Sequence, residues 1–383
     1  MIYLDNAATS FPKAPGVEEA MVGCLREAGG NPGRASHRGA RAASELLFDA
    51  RACVATLLEA SHPERVIFTK NATEALNLAI MGTICDGDIV AVSSLEHNAV
   101  MRPLRWLESN RGVRLHVLTL DANGAPEAGA LDVLLAAKPR LLVLTAASNV
   151  TGAMPPIEDI AARCKGAGIL VGIDASQACG HRPLSMRDIA ADFVCFPGHK
   201  GLLGPTGTGA MYAAPGFDPE PLIRGGTGSV SDSETMPDFV PDCYDAGTAN
   251  TVGLAGLLAS TTFVLRHGIE AIARREHELT ARLIDGFSRL PGIRLYGPAV
   301  GVARAPVVSL TLDTASVSDI ARELDLRDIA IRAGLHCAPA AHRSIGSFEH
   351  GGTIRFSPGY FTTDAEIDAA IAAVEEIVAA GAS

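Results

Sequence analysis

An α/β fold, with a mostly parallel central sheet covered by helices on both faces and a smaller α+β C-terminal domain, is predicted by two features of this 383-residue chain. Short, nearly continuous apolar runs alternate with helix-period segments through the first two thirds, the pattern of strands buried on both faces. Beyond about Thr251 the alternation stops, and paired helices precede strands of a different texture. A chain of this length outgrows one core. A large domain over residues 15–255, and a small one from residues 1–14 with 256–383, are expected.

In chain order, residues 66–69, 88–94, 114–120, 140–146 and 169–174 read as buried strands. Leu46, Leu47, Cys53, Val54, Leu57 and Leu58 recur on one helical face, and residues 157–165 repeat that spacing. An apolar strand also precedes Lys200. Helices follow over 251–267 and 269–290, then strands 293–296 and 307–312, a helix over 316–326 and a strand at 329–332. A last strand, 353–356, precedes a terminal helix whose Thr363 and Glu366 fit a capping box. The extreme N-terminus is expected to fold back onto this second domain.

The formal charge of −11 argues against a nucleic-acid or anionic-membrane partner held by bulk attraction. The first residues lack a basic region followed by a long apolar one, so no signal peptide is expected. The longest apolar stretch, 251–265, is interrupted by Gly, Ser and Thr and is too short for a membrane span. Eight scattered cysteines form no C-x-x-C pair, which suits reduced thiols and a cytoplasmic protein.

Lys200 follows its strand closely and is bracketed by Gly198, Gly201 and Gly204. An ammonium is costly to bury, so a lysine at the mouth of a buried strand points to an amine used as a nucleophile. Asp174 ends another apolar run, with Gln177 just beyond. A strand-end acid and a strand-end lysine are what pyridoxal phosphate requires. The lysine forms a Schiff base and the carboxylate keeps the pyridine nitrogen protonated. Ligands in such sheets gather at the carboxyl ends of the strands, where both residues fall.

Ala72 and Thr73 open a helix after the strand at 66–69. Free N–H groups there attract phosphate, although a simple N-cap explains the same residues. No Walker or dinucleotide glycine motif is present, which excludes nucleotide readings. His97 follows the next strand, where a ring can stack on a planar cofactor and relay protons, or merely sit in a surface loop. Asn149 is placed to touch cofactor or substrate, or to cap its turn, and His199 to help hold phosphate.

Cys337 ends a strand, flanked by His336 and preceded by Arg332, and positive neighbours favour the reactive thiolate. Cys53, Cys85, Cys164, Cys179 and Cys195 lie in helix or strand patterns and read as inert. The spacing of His336, Cys337, His342 and His350 fits no common zinc pattern, so no metal is expected. Arg355, within an otherwise apolar strand, must find an anion. A substrate carboxylate held bidentately would serve, as would an internal salt bridge.

Taken together, Leu4-Asp-Asn-Ala-Ala-Thr9, Asn71-Ala-Thr-Glu74, Glu96-His97, Asp174-x-x-Gln177, Gly198-His-Lys200, Gly247-Thr-Ala-Asn-Thr251, His336-Cys337-Ala-Pro339 and Ile354-Arg-Phe-Ser357 resemble the cysteine desulfurases. These belong to the class V aminotransferase group of fold-type I pyridoxal phosphate enzymes, and the match runs from residue 2 to about residue 370. The resemblance implies that Lys200 carries the cofactor, Asp174 pairs with the pyridinium, Gln177 touches the phenolic oxygen and His97 stacks on the ring. It gives Thr73 and His199 to the phosphate, and Asn149 and Arg355 to the substrate carboxylate with Arg332 nearby. Thr248 matches a threonine that reaches the phosphate from a partner subunit, which implies a homodimer.

The reaction so implied converts L-cysteine to L-alanine and leaves a persulfide on Cys337 for an acceptor protein or thiol, as in iron–sulfur cluster assembly. The same resemblance accommodates a selenocysteine lyase acting on L-selenocysteine, or another class V reaction. The short segment between Cys337 and Arg355 is similar to the family branch with an ordered loop, whereas Ile354-Arg-Phe-Ser357 is similar to the other branch. Pro197 stands where a phosphate-binding serine is common.

Overall fold

A computed structural model describes residues 1–28, 30–33 and 37–381. Its central sheet has seven strands in the spatial order Val66–Thr69, Gly209–Ala213, Phe193–Pro197, Leu170–Asp174, Leu141–Thr145, Ile89–Ser93 and Arg114–Leu118. All neighbouring pairs are parallel except those made by Gly209–Ala213, which runs antiparallel to both of its neighbours. The sheet is therefore mostly parallel. Its middle strands are apolar throughout because both faces are covered: Leu141, Leu142, Val143 and Leu144 are all fully buried. Enclosing each such side chain contributes about 1.5–3 kcal/mol before the entropy of ordering is subtracted.

A second, antiparallel sheet orders Arg332–Gly334, Thr353–Phe356, Val308–Leu312 and Ile293–Tyr296. Helices Ile269–Ser288, Val317–Asp325 and Asp364–Gly381 cover it, burying Leu279, Leu283, Phe287, Ile320 and Ile367. The capping box forms: Thr363 Oγ1 accepts from the Glu366 amide, and the Thr363 amide donates to Glu366 Oε2 at 2.8 Å. Helix Thr251–His267 packs on Val17–Glu27 and Arg38–Leu57, so its Leu254, Leu257 and Val264 join the core that lies under the large sheet.

The run at 329–332 is not one strand. Ile329–Ala330 pairs in parallel with Ile2–Tyr3, while Arg332–Gly334 joins the antiparallel sheet. The N-terminal strand takes the first half of the run as its partner, and Thr353–Phe356 takes the second. The N-terminus thus packs on the second sheet, its Leu4 buried in that core. Among the described residues no single helix is long and apolar enough to cross a membrane.

Candidate active site

Neighbouring parallel strands Leu170–Asp174 and Phe193–Pro197 end side by side, which brings Asp174 near the turn that carries Lys200. A cleft of about 90 Å³ opens there, partly open to solvent. Ala72, Thr73, His97, Asn149, Asp174, Gln177, His199 and Lys200 all line it. These eight residues arrive from five separate strand ends, as a doubly covered sheet allows.

Helix Ala72–Met81 points its N-terminus at the cleft. Asn71 Oδ1 accepts the Glu74 amide at 2.9 Å and Glu74 Oε2 accepts the Lys70 amide at 2.7 Å, so the cap is made on its outer side. The first-turn N–H groups of Ala72 and Thr73 have no intrahelical acceptor and are aligned for an anion. Gly209 allows this close approach: a Cβ there would lie 2.6 Å from the Asn71 carbonyl carbon. His199 Nδ1 is buried without a partner. Burial, then the Lys200 charge, lowers the His199 pKa to about 4, so the ring is neutral.

Asp174 is 2% exposed and its Oδ1 accepts the Ser176 amide at 2.9 Å. Lys200 has its pKa lowered to about 8, chiefly by burial, with Asp174 opposing the shift and Arg355 and Arg332 adding to it. About a tenth of the amine is therefore neutral at pH 7, far more than at an ordinary lysine, and a nucleophile and base acts in that form. His97 caps its own helix: Nδ1 accepts the Ala99 amide at 3.0 Å. That bond leaves the proton on Nε2, and burial followed by the Lys200 charge holds its pKa near 4.

Behind His97 lies Glu96, fully buried, its Oε1 accepting from Ser93 Oγ at 2.6 Å and from the Thr145 amide at 2.8 Å. Burial raises its pKa to about 8.

Cys337 is exposed. Arg332 donates to its sulfur at 3.4 Å. His336 does not serve as a positive neighbour. It is 3% exposed, its Nε2 bonds Thr353 Oγ1 at 2.9 Å, and burial drives its pKa to about 2. The Cys337 backbone is tied to segments that follow strands of the seven-stranded sheet: Asn149 Nδ2 donates to the His336 carbonyl at 2.8 Å, and the Asn98 amide donates to the Cys337 carbonyl at 2.8 Å.

Arg355 takes the internal pairing, with its NH2 group on Asp5 Oδ1 and its NH1 group on the Asn149 carbonyl at 3.1 Å. Its Nε remains buried and unpartnered. Thr248 does not line the cleft. It is exposed on a separate groove with Arg51, Phe68 and Tyr244. Cys164, Cys179 and Cys195 are buried as expected of inert thiols, and Cys53 is half-buried, but Cys85 is exposed in the turn after its helix. The described residues contain no cluster of three or more His, Cys, Asp or Glu fit to hold a metal ion.

Several residues at the site carried no signal that spacing could reveal. Ser176 and Thr145 line the cleft as well. The N-terminal segment touches three site residues within nine positions. Asp5 pairs with Arg355, the Ala7 carbonyl accepts from Gln177 Nε2 at 2.8 Å, and Lys13 Nζ donates to the His199 carbonyl at 3.2 Å. Lys13 also bonds Thr9 Oγ1 and Ser10 Oγ, and burial lowers its pKa to about 8.

Comparison with known proteins agrees with this architecture. The model of the aminotransferase class-V family matches residues 2–370. A probable cysteine desulfurase of Methanothermobacter thermautotrophicus is 35% identical, with 99% of this chain and 95% of that protein covered. One from Xylella fastidiosa is 35% identical over 98% of this chain and 91% of its own length. The apo structure of the cysteine desulfurase from Thermococcus onnurineus superposes with a TM-score of 0.91 at 30% identity, covering 99% of this chain and 95% of the other. The Escherichia coli cysteine desulfurase CsdA, in an S-sulfonic acid form, gives 0.87 at 28% identity, covering 99% and 94%. The chain belongs to the class V aminotransferase family and, within it, to the cysteine desulfurases.

Proposed function

We propose that this protein is a pyridoxal phosphate-dependent cysteine desulfurase that converts L-cysteine to L-alanine and holds the removed sulfur as a persulfide on Cys337. The observation that carries this reading is the tie between thiol and cleft. Asn149 lines the cleft that contains Lys200 and grips the His336 carbonyl, so the backbone next to the exposed Cys337 is fastened to a cleft residue, although Cys337 itself does not line the cleft.

The residues fit the cofactor. The unpartnered His199 Nδ1, the Ala72 and Thr73 amides and the Thr73 hydroxyl supply donors for a phosphate, Asp174 a carboxylate for a ring nitrogen, and Lys200 an amine for an aldehyde. When bound, pyridoxal phosphate supplies an electron sink for the substrate's Cα–H bond. His97 borders the ring space as a neutral, capped imidazole. Arg355 and Asn149 orient the substrate carboxylate, for which the free Arg355 Nε is a donor in waiting.

Lys200 Nζ takes and returns the Cα proton. The Cys337 sulfur attacks the substrate sulfur: an S–S bond forms, the C–S bond breaks, and its electron pair stays with carbon, which is protonated to give alanine. Arg332 steadies the attacking sulfur. Pre-positioning the two sulfur atoms is the thiol's main contribution to rate.

The protein acts as a homodimer in this reading, with Thr248 of a second copy closing the phosphate site, and its persulfide passes to a thiol acceptor. Two variants test it with L-cysteine and reconstituted cofactor. Cys337→Ala should keep the Lys200-linked absorbance and lose sulfur release, while Lys200→Ala should lose both. Sulfur release that survives in Cys337→Ala defeats the reading.

A further inference from the structure

Consecutive residues His336 (φ +47°) and Cys337 (φ +56°) both lie in the left-handed region. Non-glycine side chains seldom adopt it, and they remain there only where surrounding contacts over-determine the backbone. Three contacts do so here. Asn149 Nδ2 holds the His336 carbonyl, Thr353 holds the His336 ring, and the Asn98 amide donates to the Cys337 carbonyl.

The last of these is unusual in its source. Asn98 is the first residue of helix Asn98–Arg111, directly after the cap His97. Its N–H is one of the few in a helix with no intrahelical acceptor. It points instead across the domain boundary at the thiol-bearing residue, where the helix dipole also favours a carbonyl oxygen. One turn of chain therefore sets the His97 ring in the cleft and holds the Cys337 backbone through Asn98, which lies between the cleft residues His97 and Ala99.

We propose that the Asn98 backbone N–H is a positioning group for Cys337, holding its left-handed conformation so that the thiol stays beside Arg332 and within reach of the cleft. The proposal rests on the reading of Cys337 as the residue that takes the sulfur.

Asn98→Pro tests it by removing that donor and setting the ring Cδ where the amide hydrogen met the Cys337 carbonyl, so the two backbones must part. Proline is tolerated at the first helical position, and the extended conformation it demands of the preceding residue is already present at His97 (φ −75°, ψ 159°). In the full-length, cofactor-loaded protein, first-turnover persulfide on Cys337 should fall at least about tenfold, one lost hydrogen bond setting the minimum. The Lys200-linked absorbance should remain. Amide exchange at Ala338, whose N–H bonds the Leu335 carbonyl, should quicken by about the same factor. Asn98→Ala keeps the donor and should show parental exchange at Ala338.

A measurement on the unsubstituted protein needs no variant to fold: the Asn98 amide should exchange at least about tenfold more slowly than solvent-facing first-turn amides of other helices. An Asn98 amide that exchanges as fast as those overturns the proposal. So does an Asn98→Pro protein with parental persulfide yield and Ala338 exchange. Absence of any persulfide in the unsubstituted protein defeats the desulfurase reading instead, and the exchange measurements still decide the Asn98 contact.

Discussion

Asp5 and Arg355 form an ion pair of 2.7 Å that joins the N-terminal segment to strand Thr353–Phe356, with the arginine side chain 1% exposed and the aspartate 20%. Burial pulls the Arg355 pKa down and the Asp5 carboxylate is the main opposing influence, so Asp5 favours the charged form of the guanidinium that the proposed function gives to the substrate carboxylate. Asp5→Asn removes that partner. Breaking a fully enclosed pair costs about 3–5 kcal/mol, and the partial exposure of Asp5 brings the expected loss to about 2 kcal/mol. Urea unfolding of the two proteins measures it; a loss below about 0.5 kcal/mol would show that the pair acts as an ordinary surface contact.

Under the proposed function, Lys200 should set the pH at which the cofactor is captured. With its pKa near 8 rather than 10.5, the neutral amine accumulates through pH 8. The rate at which cofactor-free protein takes up pyridoxal phosphate should climb to about pH 8 and level off above it. Stability follows the same group. Between pH 8 and 10.5 the unfolded chain keeps a proton that the folded chain has released, so folding gains stability as pH rises through that window. Lys200→Met should abolish the gain. A capture rate still rising tenfold per unit above pH 9.5 contradicts the assignment.

Acid acts through histidine. Burial holds His97, His199 and His342 near pKa 4 and His336 near 2, against an ordinary value of 6.5. From pH 6.5 down to 4 the unfolded chain binds protons that the folded chain refuses, so stability falls as pH drops. At pH 5 these four residues should together take up about four protons on unfolding, read from the pH slope of the unfolding free energy. His342→Gln removes a buried ring that does not itself line the cleft and should lower that uptake by about one proton. An unchanged slope would place the titration elsewhere.

How much of this was legible in the chain depended on whether a signal was local. Lys200, Asp174, His97 and Thr73 each follow an apolar strand directly, so strand-end position alone placed them on one side of the sheet. Arg355 announced itself as a charge in an apolar run, yet its partner Asp5 lies 350 residues away and nothing in spacing pairs them. Lys13 and Ser176 resemble ordinary surface residues until the N-terminal segment crosses the site. His336 looked like a cation beside a thiol, but burial makes it neutral and leaves that part to Arg332. Residues 329–332 form one apolar run that two different sheets divide, a tertiary choice that periodicity cannot register.

Gly209 offers a test of the helix that faces the cleft. An added methyl would meet backbone atoms of Asn71 and Ala72 at 2.6–3.0 Å, and backbone cannot swing aside as a side chain can. Gly209→Ala should cost about 1–3 kcal/mol of stability through overpacking. It should also weaken pyridoxal phosphate binding about tenfold by displacing the Ala72 and Thr73 amides, a change of ~1.4 kcal/mol. Equilibrium titration of the cofactor-free variant measures the second effect, and parental affinity would detach this helix from the phosphate.

The central claim is sulfur transfer from L-cysteine to one named thiol, and a single-turnover experiment on the cofactor-loaded protein tests it most directly. Mixing with L-cysteine in the absence of reductant, followed by mass spectrometry of the intact chain and amino-acid analysis, should give one alanine for each added sulfur atom, with that sulfur on Cys337. Alanine formed without added mass on the protein, or sulfur carried on Cys85 while Cys337 stays unmodified, would contradict the account.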